Sequence, residues 1–314
     1  MKKSLLLLCC LCMSYISVCA QQIRFTPQWM PQGQFAGYYA ALENGYYKDA
    51  GLDVTFSYPT QSYSSINMLL YGSTDIITSE VIQALMATDR NLKLVNLLQT
   101  NQHSTLVLLA RDKNIERMSQ LAGRRVGMWK VGFSEFPRMM DAEQQLGIEW
   151  IKFNNPLNLY ISGAVDATLA KNYNEAVLFT MSGITPGSVL KFSEMGFDYP
   201  EDGLYVTESY YKENPDICRK FAEASRKGWE WVRENRKEAL EIVMKYVKAE
   251  NVPTNIYNQK IMLDAVLDAQ EDIKGKAPSY KLDEQVFNKL VKLLMRFGSI
   301  SQPVDYKTFT GGEL

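Results

Sequence analysis

Apolar positions along the chain switch repeatedly between the two-residue spacing of strands and the three-to-four-residue spacing of helices. The predicted strands are Ile23–Thr26, Leu52–Ser57, Asp75–Thr78, Leu92–Leu98, Thr105–Ala110, Arg125–Trp129, Glu149–Phe153 and a segment near Ala167–Ala170. The predicted helices among them are Gln34–Asn44, Tyr46–Ala50, Ser64–Tyr71, Glu80–Asp89, Met118–Ala122, Glu135–Leu146 and Leu159–Ser162. Two further segments, Val177–Met181 and Ser188–Phe192, continue the alternation. This order indicates an α/β fold with largely parallel sheets.

The last third of the chain is predicted to be mainly helical. The helices expected there are Thr207–Glu213, Pro215–Asn235, Arg236–Lys248, Asn258–Ile273 and Asp283–Phe297. Two strand-and-helix series followed by a helical tail suggest two lobes with a ligand between them. In open α/β sheets, ligands bind at the carboxyl ends of the strands, so we expect site residues in the loops that follow strands.

The first twenty residues have the three parts of a secretory signal peptide. A positive start at Lys2 and Lys3 is followed by a mostly apolar stretch, Ser4–Ser17, and by a cleavage site that ends at Ala20. The apolar stretch is shorter than the roughly 20 residues that span a bilayer, which disfavours a membrane anchor. Lipid attachment at Cys19 is an alternative, disfavoured because valine stands where such a site has a small residue. We therefore expect an exported, periplasmic protein.

Composition narrows the chemistry further. The chain has 314 residues and a formal net charge of −1, which offers no basic surface for nucleic acid or an anionic membrane. Loss of the first twenty residues, which hold two lysines and no acid, leaves 294 residues and a charge of −3. One of the five cysteines, Cys218, then remains, so no intramolecular disulfide can form. Ile217 and Phe221 share its predicted helix face, which indicates a buried structural thiol.

Common catalytic motifs are absent from the sequence: it has no GxGxxG, Walker loop, HExxH or GxSxG. The single histidine, His103, excludes a multi-histidine metal site. Because His103 lies in a polar connection before a predicted strand, we expect a surface or crossover role for it. A catalytic pair of carboxylates remains an alternative, because the sequence contains many acidic residues. We therefore expect no catalytic residue, metal or cofactor.

Aromatic and amide side chains after the first predicted strand are the first candidates for ligand contact. Trp29 could stack on a planar ligand, although a packing role is equally compatible with its position. Gln28, Gln32 and Gln34 could bond ring nitrogens or carbonyl groups, with plain solvation as the alternative. This loop therefore predicts the ligand wall of the first lobe.

Two loops of the second lobe carry further candidates. Gly132, Phe133 and Ser134 precede a predicted helix, whose free N–H groups could hold an acceptor atom. Asn174 and Glu175 follow a predicted strand, where an acid beside an amide could bind an amino-substituted heterocycle. An ordinary strand-end cap is the alternative for this pair.

At these positions the chain resembles the SsuA/THI5-like, or NMT1/THI5-like, family of solute-binding proteins. The resemblance covers about residues 23–246 and is strong when its segments are taken as a set. The matching segments are Trp29, Gln34–Ala41, Glu43–Val54, Gly72–Ile76, Leu121–Gly127, Gly163–Ala167, Tyr173–Glu175, Asn214-Pro215 and Gly228-Trp229.

The resemblance implies a type II periplasmic binding fold, with two α/β lobes, a ligand cleft and a hinge. Lobe 1 is expected at residues 21–109, lobe 2 at 110–198, and a return to lobe 1 with the C-terminal helices at 199–314. Hinge crossings are expected near Leu108–Arg111 and Phe197–Gly203. Members of the family deliver thiamine pyrimidine precursors, sulfonates or related solutes to an ABC permease, and others are sensing modules of signalling proteins.

One branch of the family, the thiamine pyrimidine synthases, is enzymatic. Its members use a lysine that binds pyridoxal phosphate, a histidine four residues later and a cysteine cluster that holds iron. Ser79 and Gln83 stand at the positions that match the lysine and the histidine, and Asp202–Thr207 contains no cysteine. Because a serine cannot form a Schiff base, we expect no synthase activity.

The leading hypothesis is therefore an exported, non-enzymatic, monomeric protein that captures a small planar polar solute, a thiamine pyrimidine precursor, for an ABC permease. A partnership with a membrane histidine kinase and the synthase reaction are the alternatives. Trp29 is expected to stack on the ligand and Tyr38 to form a wall. The full set of expected ligand-binding residues is Trp29, Tyr38, Ser79, Glu80, Gly132, Phe133, Ser134, Asn174 and Glu175.

Overall fold

The computed structural model describes residues 20–60, 62–130, 132, 134–153, 156–272 and 276–312. The predicted signal peptide, apart from Ala20, and the lipid-attachment alternative at Cys19 lie outside the described residues. No helix within the described ranges is both long enough and apolar enough to cross a membrane.

Strands and helices alternate through the first two thirds of the described chain, as the sequence predicts. The strands are β1 Gln21–Thr26, β2 Leu52–Phe56, β3 Ile76–Glu80, β4 Leu94–Gln99, β5 Leu106–Ala110, β6 Arg125–Trp129, β7 Glu149–Phe153, β8 Ala167–Lys171, β9 Ser188–Lys191 and β10 Asp202–Thr207. The helices are α1 Ala36–Glu43, α2 Tyr46–Asp49, α3 Ser65–Leu70, α4 Val81–Asp89, α5 Glu135–Gln144, α6 Pro156–Ile161, α7 Glu175–Met181, α8 Glu208–Glu213, α9 Pro215–Glu234, α10 Arg236–Ala249, α11 Ile256–Ala269, α12 Glu284–Arg296 and α13 Tyr306–Phe309. Short 3-10 turns lie at Gly33–Phe35, Met118–Leu121 and Phe192–Met195.

Two mixed sheets form the two lobes of the described chain. The first has the strand order β2-β1-β3-β10-β4 and the second the order β7-β6-β8-β5-β9. The first three strands in each of these orders are parallel, whereas β10 runs antiparallel to β3 and β4, and β5 runs antiparallel to β8 and β9. The prediction of largely parallel sheets was therefore wrong for these two strands.

The strand β10 is absent from the sequence prediction, which placed no strand between Phe192 and the helix at Thr207. It begins with Asp202-Gly203, a pair that is typical of turns. In the structure, Gly203 lies where a Cβ atom would meet the Asn96 side chain at 2.7 Å and the Leu98 carbonyl oxygen at 3.0 Å. The glycine therefore permits close packing against β4 and does not mark a turn.

Within the described ranges, the chain passes from one sheet to the other at residues 100–105 and again at 196–201. We call these the first and second crossing. The first crossing precedes β5, which belongs to the second sheet, so the predicted boundary at 109/110 and the predicted hinge at Leu108–Arg111 lie too late. The second crossing overlaps the predicted hinge at Phe197–Gly203. His103 lies in the first crossing, as expected, and pairs with Asp198 in the second at 2.8 Å.

Helices α1 and α9 pack closely over the first sheet. A Cβ atom on Gly37 would lie 2.2 Å from the Trp229 ring, and one on Gly228 would lie 2.0 Å from the Gly37 carbonyl oxygen. Cys218 is fully buried in this core, which confirms the prediction of a buried thiol. The close contact fixes the helix that follows the Trp29 loop against the rest of the lobe.

Candidate ligand-binding site

A cleft of about 240 Å³ lies between the two lobes, where the carboxyl ends of β1, β6 and β8 converge. Its position agrees with the rule for ligands of open α/β sheets. The first lobe and the C-terminal helical region contribute one wall and the second lobe contributes the other. The residues that line the cleft are Trp29, Met30, Gln32, Gln34, Trp129, Lys171, Tyr173, Asn174, Glu175 and Val252.

The Trp29 loop joins β1 to α1 and forms the wall of the first lobe. Trp29 is 45% exposed, which is unusual for the largest apolar side chain. The buried carboxylate of Asp202 holds the loop both before and after Trp29. Its Oδ1 accepts from Gln28 Nε2 at 2.8 Å, and its Oδ2 accepts from Gln34 Nε2 at 2.6 Å. The exposed aromatic face is thus carried by a well-anchored loop.

The second-lobe wall places an acid beside an aromatic ring. Trp129 ends β6, and its Nε1 donates to Glu175 Oε1 at 3.3 Å. The other carboxylate oxygen of Glu175 accepts the backbone N–H of Lys171 at 2.9 Å, and Asn174 Nδ2 lies 3.4 Å from Oε1. These bonds fix the orientation of the Glu175 carboxylate at the start of α7. Burial raises the pKa of Glu175.

A buried ion pair joins the lobes below the cleft. Lys171 Nζ lies 2.6 Å from Glu80 Oε1 in the first lobe and 2.9 Å from Glu201 Oε1 in the second crossing. Burial alone would lower the pKa of Lys171, but Glu201 and Glu80 reverse that effect and raise it. The lysine is therefore held as an ammonium ion at neutral pH.

Acids outnumber bases around the cleft. Glu80, Glu175, Glu201 and Asp202 are all buried near the single ammonium of Lys171. Burial raises the pKa of Asp202 to about 6, because Gln34 and Lys171 only partly offset the loss of hydration, and it raises the pKa of Glu80, where Lys171 is the main opposing group. The site therefore favours a ligand that donates hydrogen bonds or carries positive charge over an anionic one. Within the described residues, no group of three His, Cys, Asp or Glu side chains is placed to hold a metal ion.

The structure brings three of the expected site residues together. Trp29 from the first lobe and Asn174 and Glu175 from the second all line the cleft. Gln32 and Gln34, named as candidates for polar contact, line it as well, while Gln28 is turned to Asp202. Phe133 lies outside the described residues.

The remaining expected residues do not line the cleft. Tyr38 is 1% exposed and packs edge-on against Trp229 in the core of the first lobe, so it is not a ligand wall. Ser79 is buried in β3, and Glu80 is turned to Lys171. Gly132 adjoins the side chain of Gln83, and Ser134 is buried at the start of α5.

The expected set of ligand-binding residues omits three residues of the second-lobe wall, Tyr173, Trp129 and Lys171. Trp129 and Lys171 are the last residues of strands β6 and β8, and the strand-end rule that selects Trp29 applies to them equally. Trp129 is the last residue of a predicted strand, and Lys171 directly follows the strand predicted near Ala167–Ala170. Val252, which follows α10, had no sequence signal.

The positions that match the synthase lysine and histidine have ordinary structural roles. Ser79 lies in the buried strand β3, and Gln83 Nε2 donates to Glu135 Oε1 at 3.2 Å. The lysine that does line the cleft, Lys171, is bound by two carboxylates, and an ammonium ion cannot attack an aldehyde. The segment Asp202–Thr207, where the iron-binding cysteines would be expected, is strand β10.

The NMT1/THI5-like family model matches residues 32–239, which include most of both lobes. The chain belongs to the NMT1/THI5-like family. Among its NMT1/THI5-like relatives, a formylaminopyrimidine-binding protein of Halalkalibacterium halodurans is 24% identical over 88% of this chain and 85% of the relative. The riboflavin-binding protein RibY of Chloroflexus aurantiacus is 20% identical over 91% of this chain and 83% of the relative.

Solved structures confirm the predicted periplasmic binding protein fold of this NMT1/THI5-like chain. The aliphatic sulphonate-binding protein SsuA of Escherichia coli superposes with a TM-score of 0.67 at 14% identity, over 92% of this chain and 97% of SsuA. The desulfurization enzyme DszB also superposes, with a TM-score of 0.63 at 14% identity over 93% of this chain and 97% of DszB. The fold therefore serves both binding proteins and an enzyme, and function has to be argued from the site.

Proposed function

We propose that this protein is an exported solute-binding protein that captures a small, planar, amino-substituted heterocycle, a thiamine pyrimidine precursor, for ABC-type uptake. The observation that carries the proposal is the cleft between the lobes. It combines aromatic residues from both lobes, Trp29 and Trp129, with the oriented carboxylate of Glu175 and the amide of Asn174. Indole rings suit a planar ligand, and a carboxylate accepts from an amino group.

Charge separates this ligand class from the sulfonates. A sulfonate is an anion that only accepts hydrogen bonds, and the ammonium of Lys171, which lines the cleft beside Glu175, is already bound by Glu80 and Glu201. Like charges in a buried site cost affinity, whereas an amino-pyrimidine donates to these carboxylates. The charges of the cleft therefore make the formylaminopyrimidine-binding relative a better guide to the ligand than SsuA.

Size supports a single ring system. The cleft of about 240 Å³ is smaller than the roughly 300–1,000 Å³ typical of sites for drug-sized ligands. A pyrimidine with short substituents suits this volume better than the three-ring system and ribityl chain of riboflavin. Rotation of the lobes about the two crossings would admit the ligand and then enclose it.

The proposal excludes pyrimidine synthesis. It rests on Ser79 and Gln83 at the positions of the synthase lysine and histidine, and on the two carboxylates that hold Lys171 as ammonium. The protein would act as a monomer, with an ABC permease as the partner that receives the ligand. Product formation, or Schiff-base absorbance on incubation with pyridoxal phosphate and iron, would contradict this part of the proposal.

A thermal unfolding screen tests the ligand class directly. The purified mature protein is heated alone and with formylaminopyrimidine, thiamine, riboflavin or ethanesulfonate. A ligand at one hundred times its Kd stabilises the native state by about 2.7 kcal/mol, so binding raises Tm. We expect formylaminopyrimidine to raise Tm and ethanesulfonate to leave it unchanged. A rise with ethanesulfonate alone, or no rise with any heterocycle, would overturn the proposal.

A further inference from the structure

Two adjacent acids, Glu201 and Asp202, lie at the junction of the second crossing with β10. Asp202 bonds Gln28 and Gln34 through its two carboxylate oxygens, at 2.8 Å and 2.6 Å. These amides flank Trp29 in the loop, so a single carboxylate fixes both sides of the stacking residue. No ligand-binding role of Asp202 itself is needed to explain these bonds, because Asp202 does not line the cleft.

The main chain of Asp202 is bonded to the first crossing. Its carbonyl oxygen accepts the backbone N–H groups of Thr100 at 2.9 Å and Asn101 at 3.0 Å. The Thr100 hydroxyl, at 2.7 Å, and Gln99 Nε2, at 2.9 Å, donate to the same oxygen. Asp202 therefore joins the two crossings through its backbone and holds the Trp29 loop through its side chain.

Glu201 makes the corresponding connection to the opposite wall. Its Oε1 lies 2.9 Å from Lys171 Nζ, and Lys171 lines the second-lobe side of the cleft. The same oxygen accepts from the Ser104 hydroxyl at 3.0 Å and from the backbone N–H of Thr105 at 2.9 Å, both in the first crossing. The two adjacent acids thus link the crossings to both walls of the cleft. Asp202 is bonded to the Trp29 loop, and Glu201 is paired with Lys171.

We infer that Asp202 is a positioning residue that couples rotation of the lobes to the placement of Trp29, while Glu201 does the same for Lys171 on the opposite wall. A hinge rotation changes backbone dihedral angles in the crossings; Glu201 lies in the second crossing, and the main chain of Asp202 follows it and is bonded to the first, so both carboxylates move. The position of Trp29 and the closure of the lobes then change together in a single transition. The inference deepens the proposed function, but its first test needs no ligand.

The first test measures Trp29 in the ligand-free protein by ¹⁹F NMR of the 5-fluorotryptophan-labelled chain. The Trp29 resonance is assigned with Trp29→Phe. Asp202→Ala is expected to shift or broaden this resonance while that of the core residue Trp229 stays in place, and Asp202→Asn, which keeps one acceptor oxygen, should have a smaller effect. Asp198→Ala is the matched control, because Asp198 lies in the second crossing but bonds His103 and Ser104 and does not line the cleft.

An unchanged Trp29 resonance in Asp202→Ala would overturn the inference, whatever the protein binds. The same holds for an Asp198→Ala effect of equal size, since loss of any acid in the crossing would then suffice. Should Asp202→Ala fail to fold, Gln28→Met removes one of the two bonds from the loop side and is expected to move the Trp29 resonance as well.

The second test measures binding of formylaminopyrimidine by stopped-flow tryptophan fluorescence. Asp202→Ala is expected to raise Kd about tenfold, mainly through faster dissociation, because the loop loses both of the bonds that hold it around Trp29. Asp202→Asn should recover part of this loss. Unchanged binding in Asp202→Ala would contradict the coupling. Failure of the wild-type protein to bind this probe would instead count against the proposed function and leave the NMR result to decide the inference.

Discussion

Lys171 in the second lobe lies with its ammonium 2.6 Å from the carboxylate of Glu80 in the first lobe, and both side chains are buried. A second carboxylate, that of Glu201, lies 2.9 Å from the same ammonium. Removing one partner of a buried pair leaves uncompensated charge, which costs more than the pair itself contributes. The stability of the buried contact between the lobes below the cleft therefore depends on Lys171.

We expect Lys171→Met to lower the free energy of unfolding by about 3–5 kcal/mol, because Glu80 and Glu201 then lose their shared cation in a buried setting. Urea denaturation measures the change. The matched control is Lys191→Met, which removes an exposed pair with Glu194 at 2.8 Å and should cost about 0–1 kcal/mol. Equal losses in the two variants would show that the interlobe pair has no special weight.

Trp29→Ala is expected to weaken binding of formylaminopyrimidine by about 1–3 kcal/mol, the range measured for stacking of a base on an aromatic side chain. Because Trp29 is 45% exposed, the free energy of unfolding should change little. Calorimetric titration measures Kd, and Tyr71→Ala serves as a control, since Tyr71 is an aromatic residue that is 72% exposed and does not line the cleft. Unchanged affinity in Trp29→Ala would remove the stacking residue from the site.

Glu175→Gln replaces an oriented carboxylate with a neutral side chain of the same shape. The Lys171 N–H and Trp129 Nε1 donate to different carboxylate oxygens, so the glutamine carbonyl oxygen can keep one of these two bonds and the wall loses the other. Loss of a charged acceptor is expected to weaken the binding of formylaminopyrimidine by about 1.5–3 kcal/mol. The titration is repeated with Glu230→Gln, an exposed acid of α9 that should leave Kd unchanged. Unchanged or tighter binding in Glu175→Gln would show that the carboxylate does not accept a hydrogen bond from this ligand.

The sequence predicted the alternation of strands and helices because each element has its own apolar spacing. It failed for β10, where Asp202-Gly203 is typical of a turn but serves interlobe bonding and close packing in a strand. It also failed for Tyr38. Helix α1 is buried over most of its circumference, so its apolar pattern does not show which side faces the cleft.

The site was partly predictable for the same kind of reason. Trp29, Asn174 and Glu175 lie in loops after strands, where the rule for open sheets directs attention. The rule cannot show which residues pair with Lys171. Its meaning depends on Glu80 and Glu201, which are 91 and 30 residues away in sequence and meet it only when the two lobes come together.

Asp202 should leave a signature in the pH dependence of stability. Burial raises its pKa from 3.8 to about 6, so the native state binds a proton more tightly than the unfolded chain does. For an acid with a raised pKa, this contribution is fully present below pH 4 and is lost as the pH rises through about 6. The shift corresponds to about 3 kcal/mol.

Asp202→Asn removes the titrating group and keeps the size of the side chain. The free energy of unfolding of the wild type minus that of the variant should therefore fall by about 2–3 kcal/mol between pH 4 and pH 7, measured by urea denaturation at each pH. The subtraction cancels the parallel contribution of Glu175, whose pKa burial also raises. A difference that stays constant over this range would mean that Asp202 is ionised in the native state down to pH 4, with Gln28 and Gln34 offsetting its burial in full.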